Sequence, residues 1–149
     1  MRIVIQKAAR RLTVWNEAGA CLFSCPVALG SQPIGPKEKE GDGKTPEGDY
    51  FVCLKKIGKY GPSLGVSYPS EKDALGQGAP ESLTACIRER ALHNERPPWG
   101  TALGGEIYIH GGGVQSDWTA GCVALRDEDA ETVYRMVEVG TEIRIESGE

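Results

Sequence analysis

The chain has 149 residues, with 17 basic against 21 acidic side chains and a formal net charge of -4. That length suits one domain over residues 1–149, which buries roughly two-thirds of its unfolded surface and folds without disulfide staples. The acidic balance and the lack of a long basic run exclude an electrostatic footprint for nucleic acid, and no apolar stretch is long enough to span a membrane.

Met1 to Gln6 is too short an apolar run for the core of a signal peptide and leads into Lys7, Arg10 and Arg11, so no targeting segment is read here. Ile3 and Ile5 share one face of a first strand, and Leu12 and Val14 share one face of a second. Asn16-Glu17-Ala18-Gly19 then reads as a turn into a third strand from about Ala20 to Ala28. The three are expected to form an antiparallel meander. Five cysteines are an odd number for a disulfide framework. Cys21 and Cys25 are four residues apart in an extended segment, about 13 Å, too far for one bridge or one zinc. With Cys53 and Cys86 they read as small apolar fillers.

Gly30 to Gly48 is a loop by its glycine, proline and charge, and a long one for a compact domain; long ordered loops often carry function. Its charged cluster, Lys37 to Glu40 with Asp42 and Lys44, reads as a solvated face. Tyr50 to Leu54 suits a strand with both faces partly covered. Between Lys56 and Pro80 the Gly-Pro, Tyr-Pro and Gly-Gln-Gly punctuation predicts an irregular wall of a cleft. Tyr60 and Tyr68 are candidates there for substrate contact, although packing or turn roles suit them better. Leu83, Cys86, Ile87 and Ala91 predict an amphipathic helix over Glu81 to Asn94, stopped before Pro97-Pro98, with His93 at its end explained by the helix dipole. Asp127 is expected to cap a last helix, with Glu128, Asp129 and Glu131 in its first turn and Val133, Met136 and Val137 as its buried stripe. Gly140 ends that helix, and Thr141 to Ile145 returns as a strand.

The stretch from Ile107 to Leu125 organises the rest. Ile107, Tyr108 and Ile109 suit a buried strand ending in His110; Gly111, Gly112 and Gly113 let the backbone turn sharply; and Thr119-Ala120-Gly121-Cys122 leads into a second strand. Such an arrangement can set an imidazole beside a thiol. Only the thiolate attacks, and a thiol of pKa about 8.5 is barely ionised at neutral pH, so a histidine within reach supplies the missing base. Gly121, lacking a Cβ, lets consecutive amides aim at one spot, as an oxyanion hole requires. Trp118 and Thr119, beside this turn, are candidate substrate-binding residues.

Taken together, Ile109-His110-Gly111, Thr119-Ala120-Gly121-Cys122, Asp127-Glu128-Asp129 and Val139 to Ile145, with Thr45-Pro46-Glu47-Gly48 upstream, resemble the catalytic half of a YkuD-type L,D-transpeptidase domain. The likeness spans most of the chain. It implies a mostly-β fold, a sandwich-like arrangement of curved sheets with about two packed helices. By the same likeness Cys122 is the nucleophile, His110 its base, the Gly111 carbonyl the holder of the far imidazole nitrogen, and the amides of Gly121 and Cys122 the oxyanion donors. It further implies a peptidoglycan stem-peptide donor cut after its third residue, an amine or water as acceptor, action in the cell envelope, and no metal or organic cofactor. The envelope location sits against the missing targeting segment, so a cytoplasmic location stays open, as does the oligomeric state.

Family members commonly carry Ser-His-Gly-Cys followed two residues on by arginine; here Ala120 and Ala124 stand at those places. That departure is similar to a YafK-like branch, and it leaves the acyl-transfer machinery intact while altering donor and acceptor recognition. Two further readings stand beside the transpeptidase: a hydrolase on the same site, releasing stem-linked protein or a terminal D-residue, and a non-catalytic cell-wall binding module that kept the fold.

Overall fold

The computed structural model describes residues 1–148. The predicted meander is present as β1 (Arg2–Gln6), β2 (Arg11–Trp15) and β3 (Cys21–Pro26), each antiparallel to the next. Ile3, Ile5, Leu12 and Val14 are buried together, since a period of two carries alternate residues to one face. The chain continues as β4 (Gly48–Gly58), β5 (Gly61–Val66), α1 (Glu71–Gly76), α2 (Glu81–Leu92), β6 (Tyr108–His110), β7 (Val123–Ala124), α3 (Asp127–Met136) and β8 (Glu142–Glu146).

Among the described residues the strands form one eight-stranded curled sheet in the order β3-β2-β1-β8-β4-β5-β6-β7. β8 inserts between β1, to which it is parallel, and β4, to which it is antiparallel. β4 serves both halves of the sheet, pairing with β8 from Gly48 to Phe51 and with β5 from Val52 onward. A register shift between Val52 and Leu54 marks where it bends. The curl brings the two edges together. Ala28, just beyond β3, exchanges hydrogen bonds of 2.8 and 2.9 Å with Ala124 of β7, so polar backbone that an open edge would expose is paired. Leu29, Val52, Leu64, Tyr68, Ile109, Val123, Leu125, Val133 and Ile143 fill the interior.

The segment from Lys56 to Pro80 is more regular than its punctuation suggests. Gly58 and Gly61 pair across a two-residue turn of Lys59 and Tyr60, making a β4-β5 hairpin, and Gly61 takes the positive φ (83°) that the turn needs. Pro62 is tolerated because β5 pairs with β6 only at Leu64 and Gly65, leaving the proline nitrogen outside that ladder. α1 follows, closed by a capping box in which Ser70 and Asp73 satisfy each other's backbone amides. It makes a third helix beside the two expected. At α3, Arg126 rather than Asp127 holds the N-cap position, and no side chain caps it. Cys21 is exposed, so it is not the apolar filler its strand position suggested, whereas Cys25 and Cys53 are buried. The register irregularity beside Trp15 falls opposite Cys21 at the sheet edge, where nothing covers it.

The charged cluster of the long loop is a solvated face only in part: Glu38, Lys39 and Glu40 are exposed, whereas Lys37 and Asp42 turn inward. Lys37 is 5% exposed, and its ammonium donates to Asp42 Oδ1 (2.9 Å) and the Lys39 carbonyl (3.0 Å). Burial alone would raise the Asp42 pKa, but the Glu38, Lys39 and Lys44 amides and the Lys37 ammonium hold it down at about 2. Lys7, 3% exposed, anchors the same loop from outside by donating to the carbonyls of Gly35 (2.9 Å) and Thr45 (2.7 Å) and to Glu47 (3.0 Å). Replacing Lys7 by methionine strands the buried Thr45 carbonyl and the partly buried Gly35 carbonyl, so Lys7→Met is expected to lower stability by about 1–3 kcal/mol. Urea midpoints check this, with Arg144→Ala, at an exposed ion pair, expected to change little.

Candidate active site

Parallel pairing of β6 with β7 sets Ile109 opposite Val123 and His110 opposite Ala124. Ile109 and Val123 are buried in the core, so alternation turns Tyr108, His110 and Cys122 to the other face. The structure thus sets on one face of neighbouring strands the two residues that the sequence singled out for chemistry.

His110 is 5% exposed, and its Nδ1 lies 2.5 Å from the Gly111 carbonyl oxygen. A carbonyl only accepts, so Nδ1 carries the proton and Nε2 is the basic nitrogen. Tyr60, from the β4-β5 turn, stacks on the imidazole with centroids 4.6 Å apart and planes 16° from parallel. Trp118 approaches the imidazole edge-on at 5.8 Å and donates its indole N–H to the Gly113 carbonyl (3.0 Å). Burial pushes the His110 pKa below its ordinary value, with the Gly111 carbonyl opposing, so the ring is neutral near pH 7 and able to accept a proton.

Cys122 Sγ accepts from the Tyr108 amide (3.3 Å) and its thiol donates to the Glu106 carbonyl (3.6 Å). Burial raises the thiol pKa, the Tyr108 amide and Lys37 lower it, and Glu106 raises it again, with the net direction upward. The resting sulfur is therefore a thiol that needs a base. Among the described residues no hydrogen bond yet joins it to the imidazole, and such contacts commonly tighten only with substrate in place. Cys25 and Cys53 are pushed up to about 12 by burial, which makes them inert.

Thr119 is 6% exposed; its hydroxyl donates to the Cys122 carbonyl (2.8 Å) and accepts from the Gly121 amide (3.1 Å). The Thr119 hydroxyl thus clasps the turn that carries Cys122. The Gly121 amide, expected as one oxyanion donor, is engaged by that hydroxyl, which leaves the Cys122 amide as the candidate of the pair. Gly121 is required for another reason: it has φ 143°, and a Cβ there would lie 2.7 Å from the Lys44 carbonyl. Tyr68 is fully buried and donates to the Leu103 carbonyl (2.7 Å), so it is a core residue, while Tyr60 is at the site. Arg126, two residues beyond Ala124, donates to Asp129 (2.7 Å).

Sequence reasoning named Tyr60 at the cleft without its stack on the imidazole, and missed two contributors: the buried Lys37, whose charge acts on the sulfur, and Asp127, whose carboxylate accepts from the Gly112 amide at 2.9 Å. A cavity of about 680 Å³ between α2 and β8 is lined by residues such as Phe51, Arg88 and Arg144 and by none of the site residues. A smaller one of about 350 Å³ lies beside the imidazole, lined by Tyr60, Gly112, Gly113, Gln115, Ser116 and Trp118. Among the described residues, no cluster of three or more His, Cys, Asp or Glu could hold a metal ion, and no helix is long and apolar enough to cross a membrane.

The family model of the YkuD L,D-transpeptidase catalytic domain matches residues 1–145. This chain belongs to the YkuD family. Among solved structures, this YkuD domain is similar to the helical cell shape determining protein Pgp2 from Campylobacter jejuni, with 23% identity and a TM-score of 0.73 over 99% of this chain and 48% of that one. It is also similar to Bd1075 from Bdellovibrio bacteriovorus, with 19% identity and a TM-score of 0.65 over 98% of this chain and 47% of that one. An L,D-transpeptidase from Mycobacterium smegmatis follows at 17% identity and a TM-score of 0.57, over 97% of this chain and 57% of that one. These likenesses show the fold, and the chain spans about half the length of the solved chains it matches. No curated protein matches the sequence.

The depressed His110 pKa fixes a pH dependence. Because the folded value lies below the unfolded one of about 6.5, the unfolded chain binds more protons between the two. The His110 contribution is complete above pH 6.5 and is lost as pH falls toward the folded value. Denaturant midpoints are therefore expected to fall more steeply from pH 7 to pH 5 in the wild type than in His110→Gln.

Proposed function

We propose that this YkuD domain transfers an acyl group from a peptidoglycan stem peptide through a thioester on Cys122. His110 Nε2 takes the thiol proton as sulfur attacks the donor carbonyl, and the oxyanion is met by the Cys122 amide. The imidazolium returns the proton to the departing amine. An acceptor amine or water then attacks the thioester, with His110 again as base. The observation that carries the reading is the Nδ1–H bond to Gly111, because it leaves Nε2 as the basic nitrogen of a ring on the Cys122 face. The likeness to a cell shape determinant supports a wall substrate and hence action outside the cytoplasm.

His110→Ala is expected to slow acylation of Cys122 by roughly a hundredfold or more, the usual loss of a general base, with the circular dichroism spectrum unchanged. Intact-protein mass spectrometry against purified muropeptides measures it. His93→Ala, at an exposed residue paired with Glu89, should have no effect, and equal losses in the two variants would remove His110 as the base.

Hydrolysis is favoured as a full partner to transfer by the surroundings of Ala124, which is fully buried under its pairing with Ala28, with Arg126 committed to Asp129. Alanine provides no bidentate contact to orient a second peptide, and transfer to an amine depends on that orientation more than attack by water does. With a stem tetrapeptide donor and a physiological amine acceptor, released product is expected to equal or exceed joined product. A clear excess of joined product would show a well-formed acceptor site.

A further inference from the structure

The Gly111-Gly112 peptide unit is held at both ends. Its carbonyl accepts from His110 Nδ1–H at 2.5 Å, and its N–H donates to Asp127 Oδ1 at 2.9 Å. The fit is close: a Cβ on Gly111 would lie 2.5 Å from the same Asp127 oxygen and 2.9 Å from the Tyr60 carbonyl. Backbone bonds place Asp127 there, since the Leu125 amide donates to the His110 carbonyl (2.7 Å) and the Gly113 amide to the Leu125 carbonyl (3.0 Å), which sets the start of α3 against the glycine turn. The Asp127 carboxylate does not share the neighbouring cation, because the Arg126 guanidinium is turned to Asp129 and, at 3.8 Å, Glu128.

We infer that Asp127 is a positioning residue that acts on His110 through this one peptide, holding the imidazole proton on Nδ1 and leaving Nε2 free to accept a proton. Two physical effects combine. The carboxylate fixes the plane of the peptide, so its carbonyl cannot swing away from Nδ1. A negative charge on the N–H side also polarises the amide and makes its carbonyl a stronger acceptor, as hydrogen bonds in a chain do. The other tautomer would set Nδ1 and the carbonyl, two acceptors, against each other. The groups facing the imidazole are the Tyr60 and Trp118 rings and the Gly111 carbonyl; behind that carbonyl stands Asp127, with Arg126 and Glu128 beside it on the chain. This inference rests on His110 being the base, and its test is chosen to report on the ring itself.

Nitrogen-15 spectra of His110 are recorded in the wild type, Asp127→Ala, Asp127→Asn and Glu128→Ala, alongside the pH profile of Cys122 acylation. The wild type is expected to show the Nδ1–H tautomer. Asp127→Ala should move the ring toward Nε2–H and slow acylation about five- to tenfold, the effect of one hydrogen bond. Asp127→Asn, whose side-chain oxygen can still accept from Gly112, should recover most of the tautomer and rate and keeps the test available if the alanine variant does not fold. In both, the acid limb of the profile should shift to lower pH, because the imidazolium has lost the carboxylate behind its Nδ1–H. Glu128→Ala removes an acid from the same helix turn and should change neither readout. An unchanged tautomer in Asp127→Ala, or an equal change in Glu128→Ala, overturns the inference. A wild type that forms no acyl-enzyme would overturn the acyl-transfer reading, and the nitrogen spectra would still decide this one.

Discussion

The register of β6 against β7 is the constraint on which the site depends, because a slip of one residue would turn His110 or Cys122 into the core and bring Ile109 or Val123 out. Two strands of three and two residues could not hold such a register alone. The curl of the sheet supplies what they lack. The Ala28 and Ala124 pairing, the Thr119 amide on the Leu29 carbonyl (3.3 Å) and the Ser31 amide on the Thr119 carbonyl (2.9 Å) lock the nucleophile segment to the far edge of the sheet. Asp117 extends the lock, taking the Leu29 amide at 3.0 Å and the Arg10 guanidinium at 2.8 Å.

Burial acts on the two reactive groups in opposite directions and leaves both neutral, lowering the imidazole pKa and raising that of the thiol. A resting pair of this kind differs from a preformed thiolate and imidazolium, and in the acyl transfer proposed above the proton would move only once a substrate carbonyl arrives. The aromatic pair Tyr60 and Trp118, 5.1 Å apart, supplies that low-dielectric wall on the histidine side, whereas Lys37 is the cation that favours thiolate on the other. The inner side of the long loop therefore reaches the Cys122 turn, while Ile34 and Glu38 to Gly41 stay exposed. Its shape is built by two buried lysines, one satisfying Asp42 and the other the carbonyls of Gly35 and Thr45, and its Lys44 carbonyl closes against Gly121.

What the sequence by itself determined was local: period-two alternation in Ile3 to Val14, the helix at Glu81, and the histidine, glycine and cysteine spacing that carries the family likeness. The Ser70 and Asp73 capping box was also there to be read, overshadowed by the prolines around it. Tertiary structure alone decided the rest. Asp127 reads as a helix cap because its neighbours are acidic, yet its carboxylate goes to Gly112, 15 residues back. Thr119 reads as surface beside a nucleophile, yet its hydroxyl turns inward to two backbone groups. Lys37 reads as solvated until folding brings Gly104 against its side chain. The physical reason is common to all three. A polar side chain takes whichever partner burial brings near it, and local pattern reports the face of a residue without reporting what the rest of the chain folds onto that face.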